Sequence, residues 1–228
     1  MNKKAPKETT SDIARISLIA GDNFFDIAQV KAEGREENQI KAIEAYKRSL
    51  SFYTFKDHPY DYATTQNNLG NAYGNLAGVR DKEKNLGLAI DAYRDALKVH
   101  TLEAFPTDYA TIQNNLGNAY KSFSSVRDPE KNLKLAIKAY NEALRVCTLE
   151  AFPVNYAETK FNVGLFYLDK AKMYAEKGDA TQVKDSLKLA ETAFEESLKV
   201  FKKENMKDWA EKTEKNLENV RSLLSQIE

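Results

Sequence analysis

The sequence predicts an all-α solenoid of about four helix pairs, closed by a C-terminal capping helix. Three observations predict it. The string YATTQNNLGNAY from Tyr62 returns as YATIQNNLGNAY from Tyr109 and, in weaker form, as YAETKFNVGLFY from Tyr156, each 47 residues after the last. The second half of the unit keeps that register, with Asn85, Leu86, Leu88, Ala89 and Ile90 returning as Asn132, Leu133, Leu135, Ala136 and Ile137. Pro59, Pro106 and Pro153 punctuate the copies at the same spacing. Copies in one register are the mark of a repeat architecture. Within each copy the apolar residues recur at helical spacing.

The elements follow in order. Residues 1–10 carry three lysines and no apolar run, and are expected to be a disordered tail, with the solenoid occupying residues 11–228. The first repeat covers about residues 11–58. Ala20-Gly21 with Phe24 marks its first helix, and Ala42, Tyr46 and Leu50 mark its second. The second repeat, residues 59–105, sets Leu69 and Tyr73 on one helix face with Gln66. Leu86, Ala89, Ile90, Tyr93, Ala96 and Leu97 follow on the next helix. The third repeat, residues 106–152, copies it closely. The fourth, residues 153–206, carries Val163-Gly164 with Tyr167, then Ala190, Phe194 and Leu198 after a seven-residue insertion. Residues 207–228 read as the cap, with Leu217, Val220, Leu223 and Leu224 inward and Glu and Lys outward. Degenerate end repeats are the rule in such arrays.

The breaks have expected mechanisms. Asp128-Pro129-Glu130 reads as a helix start in which Asp caps free N–H groups, Pro suits the first position and Glu suits the positive end. Asp81-Lys82-Glu83 is the same start without Pro. Phe105-Pro106 and Phe152-Pro153 are expected to end the preceding helix, with Asp61, Asp108 and Asn155 placed to cap the next. Gly70, Gly117 and Gly164 fall inside first helices, where each costs about 1 kcal/mol against Ala. A cost repeated at one position implies close helix approach. Ala89, Ala96, Ala136 and Ala143 are expected to offer the small facing surface, and Tyr73, Tyr93, Tyr120 and Tyr140 to fill the flanks.

These residues resemble the tetratricopeptide repeat, which carries Leu-Gly-x-x-Tyr on its first helix, then Ala, an aromatic and Ala on its second, then Pro. Here the elements are Leu69-Gly70 with Tyr73, Leu116-Gly117 with Tyr120 and Val163-Gly164 with Tyr167, followed by Ala89, Tyr93, Ala96 and Ala136, Tyr140, Ala143. The period differs, about 34 residues in that family against 47 here. The surplus falls between Tyr73 and Ala89 and between Ala96 and Pro106, which implies longer helices. The resemblance implies a right-handed α–α superhelix, no catalysis, and an extended peptide or partner protein held on the concave face.

First helices line the inner face of such a stack, and theirs is the informative stripe. Asn67, Asn68 and Asn71 recur as Asn114, Asn115 and Asn118. Asn favours caps over helix interiors, so three per helix need a reason. Its amide donates and accepts at once, which matches a peptide backbone. Asn68, Asn115 and Asn162 would form one ladder, and Asn67, Asn71, Asn114 and Asn118 another. Such asparagines either grip a peptide or bond between repeats and shape the solenoid. In the fourth repeat Phe161, Leu165 and Leu168 stand at the Asn67, Asn71 and Gly74 positions, either as an apolar pocket for one anchoring side chain or as buried surface. Thr64 and Thr111 occupy first-turn positions with Glu158, and only Lys121 and Lys160 add positive charge, so a carboxylate clamp is not expected.

Other classes find little support. Lys plus Arg and Asp plus Glu both number 34, and a balanced chain lacks the basic excess that nucleic-acid binding needs. The basic stretch Lys199, Lys202, Lys203 and Lys207 is interrupted by Glu204 and Asp208 and reads as a solvated face. One cysteine makes no internal disulfide, which fits a reducing cytoplasm. Arg15 breaks the only apolar stretch near the N-terminus, so neither a signal peptide nor a membrane span is expected. Tyr53, His100 and Cys147 share one repeat column, which marks a packing position and not a Cys–His catalytic pair; His58 is the other histidine. No zinc spacing or phosphate loop occurs. The expectation is a monomeric, non-catalytic interaction module without cofactor or metal. The alternatives are a self-assembling scaffold and a peptide-switched regulator. Concentration-dependent size would separate the scaffold.

Overall fold

The computed structural model describes residues 7–227, with side chains from residue 11. The fold is all-α. Nine helices occur among the described residues: α1 (Lys7–Val30), α2 (Arg35–Leu50), α3 (Pro59–Leu76), α4 (Lys82–Ala96), α5 (Pro106–Ser124), α6 (Pro129–Leu144), α7 (Pro153–Glu176), α8 (Ala180–Lys203) and α9 (Lys207–Ser225). Adjacent helices pack in pairs, as in an α–α solenoid. The chain divides into two compact units, Met1–Ala119 and Tyr120–Glu228. Of the expected tail, residues 1–6 lie outside the described residues. Residues 7–10 form the start of α1, since Lys-Glu-Thr-Thr holds no helix breaker.

In the first unit, α1 packs on α2, α2 on α3 and α3 on α4. The repeated glycine explains the pairing. A Cβ added at Gly70 would lie 2.6 Å from the Tyr93 ring, and one at Gly21 2.5 Å from the Tyr46 ring. The missing side chain therefore makes room for an aromatic ring of the facing helix. This corrects the expected alanine surface: Ala89 and Ala96 are buried, but the group lodged against the glycine is the tyrosine between them.

The second unit repeats the device with a different ring. A Cβ at Gly164 would lie 2.5 Å from Phe194. Around it Ala157, Phe161, Leu187, Ala190, Phe194 and Phe201 form a core that Leu217 and Val220 of α9 close. Leu223 and Leu224 pack at its margin. Trp209 stacks on Phe201 at 5.3 Å and meets Phe161 edge-on at 5.4 Å. Burying each such ring stabilises by about 1.5–3 kcal/mol, so the cap helix is anchored and not merely solvating. Arg221 ties it to α8 through Glu191 at 2.8 Å and Glu195 at 2.5 Å.

Helix starts differ from expectation. Asp81 and Asp128 adopt left-handed geometry, φ 46° and 43°, and neither side chain caps its helix. The turn is closed from the other side. Asn85 donates from Nδ2 to the Arg80 carbonyl at 2.9 Å, and Asn132 does the same to Arg127 at 2.6 Å. Asp is one of the few residues that tolerates that backbone, which is why it stands there. Phe152 and His58 precede helices with Pro at the first position. Asp61 and Asp108 therefore fall in the first turn, where their charge suits the helix end, and Asn155 falls beyond the helix start. The Phe-Pro pairs open α5 and α7; α4 and α6 end earlier, at Ala96 and Leu144. The surplus before Pro106 is thus connector and not helix. Thr54, Thr101 and Thr148 each accept from a backbone N–H three residues on, at 3.1, 3.2 and 3.2 Å.

Candidate peptide-binding face

Gly21 and Gly70 set the geometry of the face. Each is followed by a side chain that accepts from the tyrosine lodged on the glycine. Tyr46 donates to Asp22 at 2.8 Å, and Tyr93 donates to Asn71 at 2.7 Å. Burial raises both phenols above their ordinary range, and for Tyr46 the neighbouring Asp22 adds to the shift. Both hydroxyls therefore remain donors at any physiological pH.

From Asp22 a chain of amides crosses the first unit. Asn68 donates to Asp22 at 3.0 Å, Asn67 donates to Asn68 at 3.3 Å, and Asn115 of α5 donates to Asn67 at 3.3 Å. The network links α1, α3 and α5. Burial pushes the Asp22 carboxyl up, while hydrogen bonds from Tyr46 and Asn68 work against that. Asn67, Asn68, Asn71, Asn114, Asn115 and Asn118 are all half-buried. Asn67, Asn68 and Asn115 thus bond across repeats and link the two expected ladders instead of running as separate rows. An amide offers two N–H groups and two lone pairs on oxygen, and the bonds described engage only part of that capacity. Thr64 is half-buried, and Thr111 is exposed and donates to the Thr107 carbonyl at 3.1 Å.

The remaining candidates lie in the second unit. Phe161 is 1% exposed and packs on Phe194 at 5.6 Å as well as on Trp209. It is a core residue with no surface to offer a ligand. Leu165 packs partly buried against the same core. Asn162 is half-buried. Lys121 pairs with Asp169 at 3.5 Å, and Lys160 with Glu196 at 2.6 Å.

Asp22 and Tyr46 are the members that sequence reasoning missed. The signal was available: Asp22 follows Gly21 as Asn71 follows Gly70, and each Gly-Asx pair is matched by a Tyr on the second helix. Tyr53, His100 and Cys147 are all buried, as a packing column requires. His100 lies among Tyr60 at 5.0 Å and Phe105 at 5.2 Å, with Asp108 4.0 Å away. No cluster of three or more His, Cys, Asp or Glu that could hold a metal occurs among the described residues. No described helix is long and apolar enough to cross a membrane.

No protein-family model matches the chain, and no curated protein matches it. Among solved structures it is similar to BtubC (BKLC) from P. vanneervenii, at 16% identity over 97% of this chain and 93% of that one, with a TM-score of 0.35. It is also similar to a computationally designed self-assembling cyclic homo-oligomer, at 15% identity over 99% and 87% of the two chains, with a TM-score of 0.24. At those scores the fold class rests on the helix pairing itself.

Proposed function

We propose that the chain is a tetratricopeptide-like, non-catalytic interaction module of the cytoplasm that binds an extended peptide on the asparagine face of its first unit. The observation that carries this is the connected amide row Asn115–Asn67–Asn68, fixed at one end by Asp22 and left half-exposed. A backbone presents alternating N–H and C=O groups, and an amide side chain answers either. Holding those amides in place beforehand reduces the entropy lost on binding. Affinity would come from main-chain recognition, with sequence preference set by side chains beside the row, including Thr64 and Thr111.

The test is selection of a displayed random-peptide library on the full chain, followed by fluorescence anisotropy. Replacing Asn67, Asn68 and Asn115 together by Ala is expected to weaken the selected peptides by about a hundredfold, at about 1 kcal/mol per lost hydrogen bond. Helicity should be retained. Unchanged affinity in the triple variant would place binding elsewhere.

A further inference from the structure

The outer face of α1 and α2 is covered by no described helix, although its counterpart deeper in the first unit is covered. Gly21 and Gly70 occupy equivalent sites, so Ile16, Ile19 and Ile27 correspond to Thr65, Asn68 and Leu76. Thr65 and Leu76 are buried, and Asn68 reaches back to Asp22 of α1. On α1 the same positions are open: Ile16 is 63% exposed, Ile19 51%, Ile27 40%, and Val30 beyond them 84%. Alongside runs a groove lined by Ile13, Ile16, Ala20 and Phe24 of α1 and by Lys41 and Ala45 of α2. Large apolar side chains exposed contiguously along one helix mark an interaction surface.

The pattern on that face is symmetric. On α1, Asn23 is the centre, with Ile19 and Ile27 four residues to either side and Ile16 and Val30 seven residues to either side. On α2, Glu37, Lys41, Glu44 and Arg48 alternate in sign at helical spacing, with Lys41 paired to Glu37 of its own helix at 2.6 Å, and reversing the helix about a point between Ala42 and Ile43 sets each of these four charges opposite its complement. The two centres lie at one level. Lys41 sits over the Phe24 ring at 5.8 Å, Tyr46 lodges on Gly21, and Ser49 donates to the Ala14 carbonyl at 3.1 Å. That antiparallel register brings Asn23 beside residues 42 and 43. One two-fold axis therefore serves both helices.

We infer that this face is the interface of a closed head-to-head dimer, the occupant being a second copy of the chain. An axis lying in the interface and running across the helices sets α1 antiparallel on its copy and α2 on its copy. Ile16 meets Val30 of the second copy, Ile19 meets Ile27, and Asn23 meets itself. At the rim Lys41 faces Glu44 of the second copy and Glu37 faces Arg48. An isologous interface of this kind closes at two chains, unlike the end-to-end stack considered from sequence, and it departs from the expected monomer. It uses none of the amide row, so either reading stands or falls without the other.

Sedimentation equilibrium of the full chain over a wide concentration range tests it. The expected mass rises to that of two chains and stops. Lys41→Glu sets like charges together at two symmetric points and is expected to weaken association at least about tenfold. Adding Glu44→Lys restores the complement and should recover the dimer. Ile16→Glu should abolish it, with circular dichroism showing each variant still helical. A mass of one chain throughout, a mass that climbs beyond two, or a double variant that stays as weak as Lys41→Glu would overturn the inference.

Discussion

Asn67 and Phe161 stand at the same position of the repeat, one in each unit, and their surroundings differ. Asn67 is half-exposed and bonded to Asn68 and Asn115. Phe161 is sealed beneath Trp209 of α9. The neighbouring columns change with them. In the first unit the ring on the glycine is Tyr46 or Tyr93, and the residue after the glycine is its acceptor, Asp22 or Asn71. In the second unit the ring is Phe194 and the following residue is Leu165. Hydroxyl and acceptor are lost together, as they must be, because a buried hydroxyl without a partner is costly. A repeat position therefore carries no fixed role; what covers it decides whether it is a polar face or a core.

Substitutions can break that contrast. The largest effect is expected at Phe161→Ala, which empties a core site and should cost about 3–5 kcal/mol, read as a fall in the urea midpoint. Asn67→Ala, at the matching position, should cost about 1 kcal/mol. Equal losses would mean that the two faces are covered alike. Between these lies Gly164→Ala, whose Cβ would collide with the fully buried Phe194 ring and should cost about 1–3 kcal/mol. Gly70→Ala should cost a similar amount and also disturb the Tyr93–Asn71 bond. A neutral or stabilising outcome at either glycine would contradict the ring-on-glycine packing.

A smaller effect is expected with pH. Burial lowers the His100 pKa below its ordinary value near 6.5, against a weaker opposing pull from Asp108. The unfolded chain then takes up the proton first, so stability is full above pH 6.5 and declines as the pH falls through that value, levelling once the folded protein also protonates. Urea midpoints measured from about pH 8 to pH 5 should fall with His100 present and lose that component in His100→Phe. A midpoint that rises on acidification would mean that His100 gains an acidic partner in the fold.

The helix pairing was legible in the sequence because it is written in a register: Gly70, Gly117 and Gly164 announce close contact, and Tyr93, Tyr140 and Phe194 recur at one position of the second helix. What the glycines face was not, since alanines and aromatics alternate along the second helix and spacing does not say which points inward. The turns were misread for a related reason. Asp81 and Asp128 look like caps by residue type, yet both take left-handed backbone and neither side chain caps its helix, and the buried Asn85 and Asn132 close the loop. Within the candidate face the asparagine stripe was plain. Its anchor was not, because the alignment of Gly21-Asp22 with Gly70-Asn71 does not say that Asn68 reaches across to a carboxylate 46 residues earlier. Trp209 likewise gave no sign that it would cover Phe161.

Side-chain amide NMR of the full chain, titrated with a peptide selected on it, bears most directly on the amide row as a binding surface. The account predicts that the Asn67, Asn68 and Asn115 NH₂ resonances shift together and saturate at the peptide's own dissociation constant. Saturating shifts confined to other residues, with those three unmoved, would contradict it.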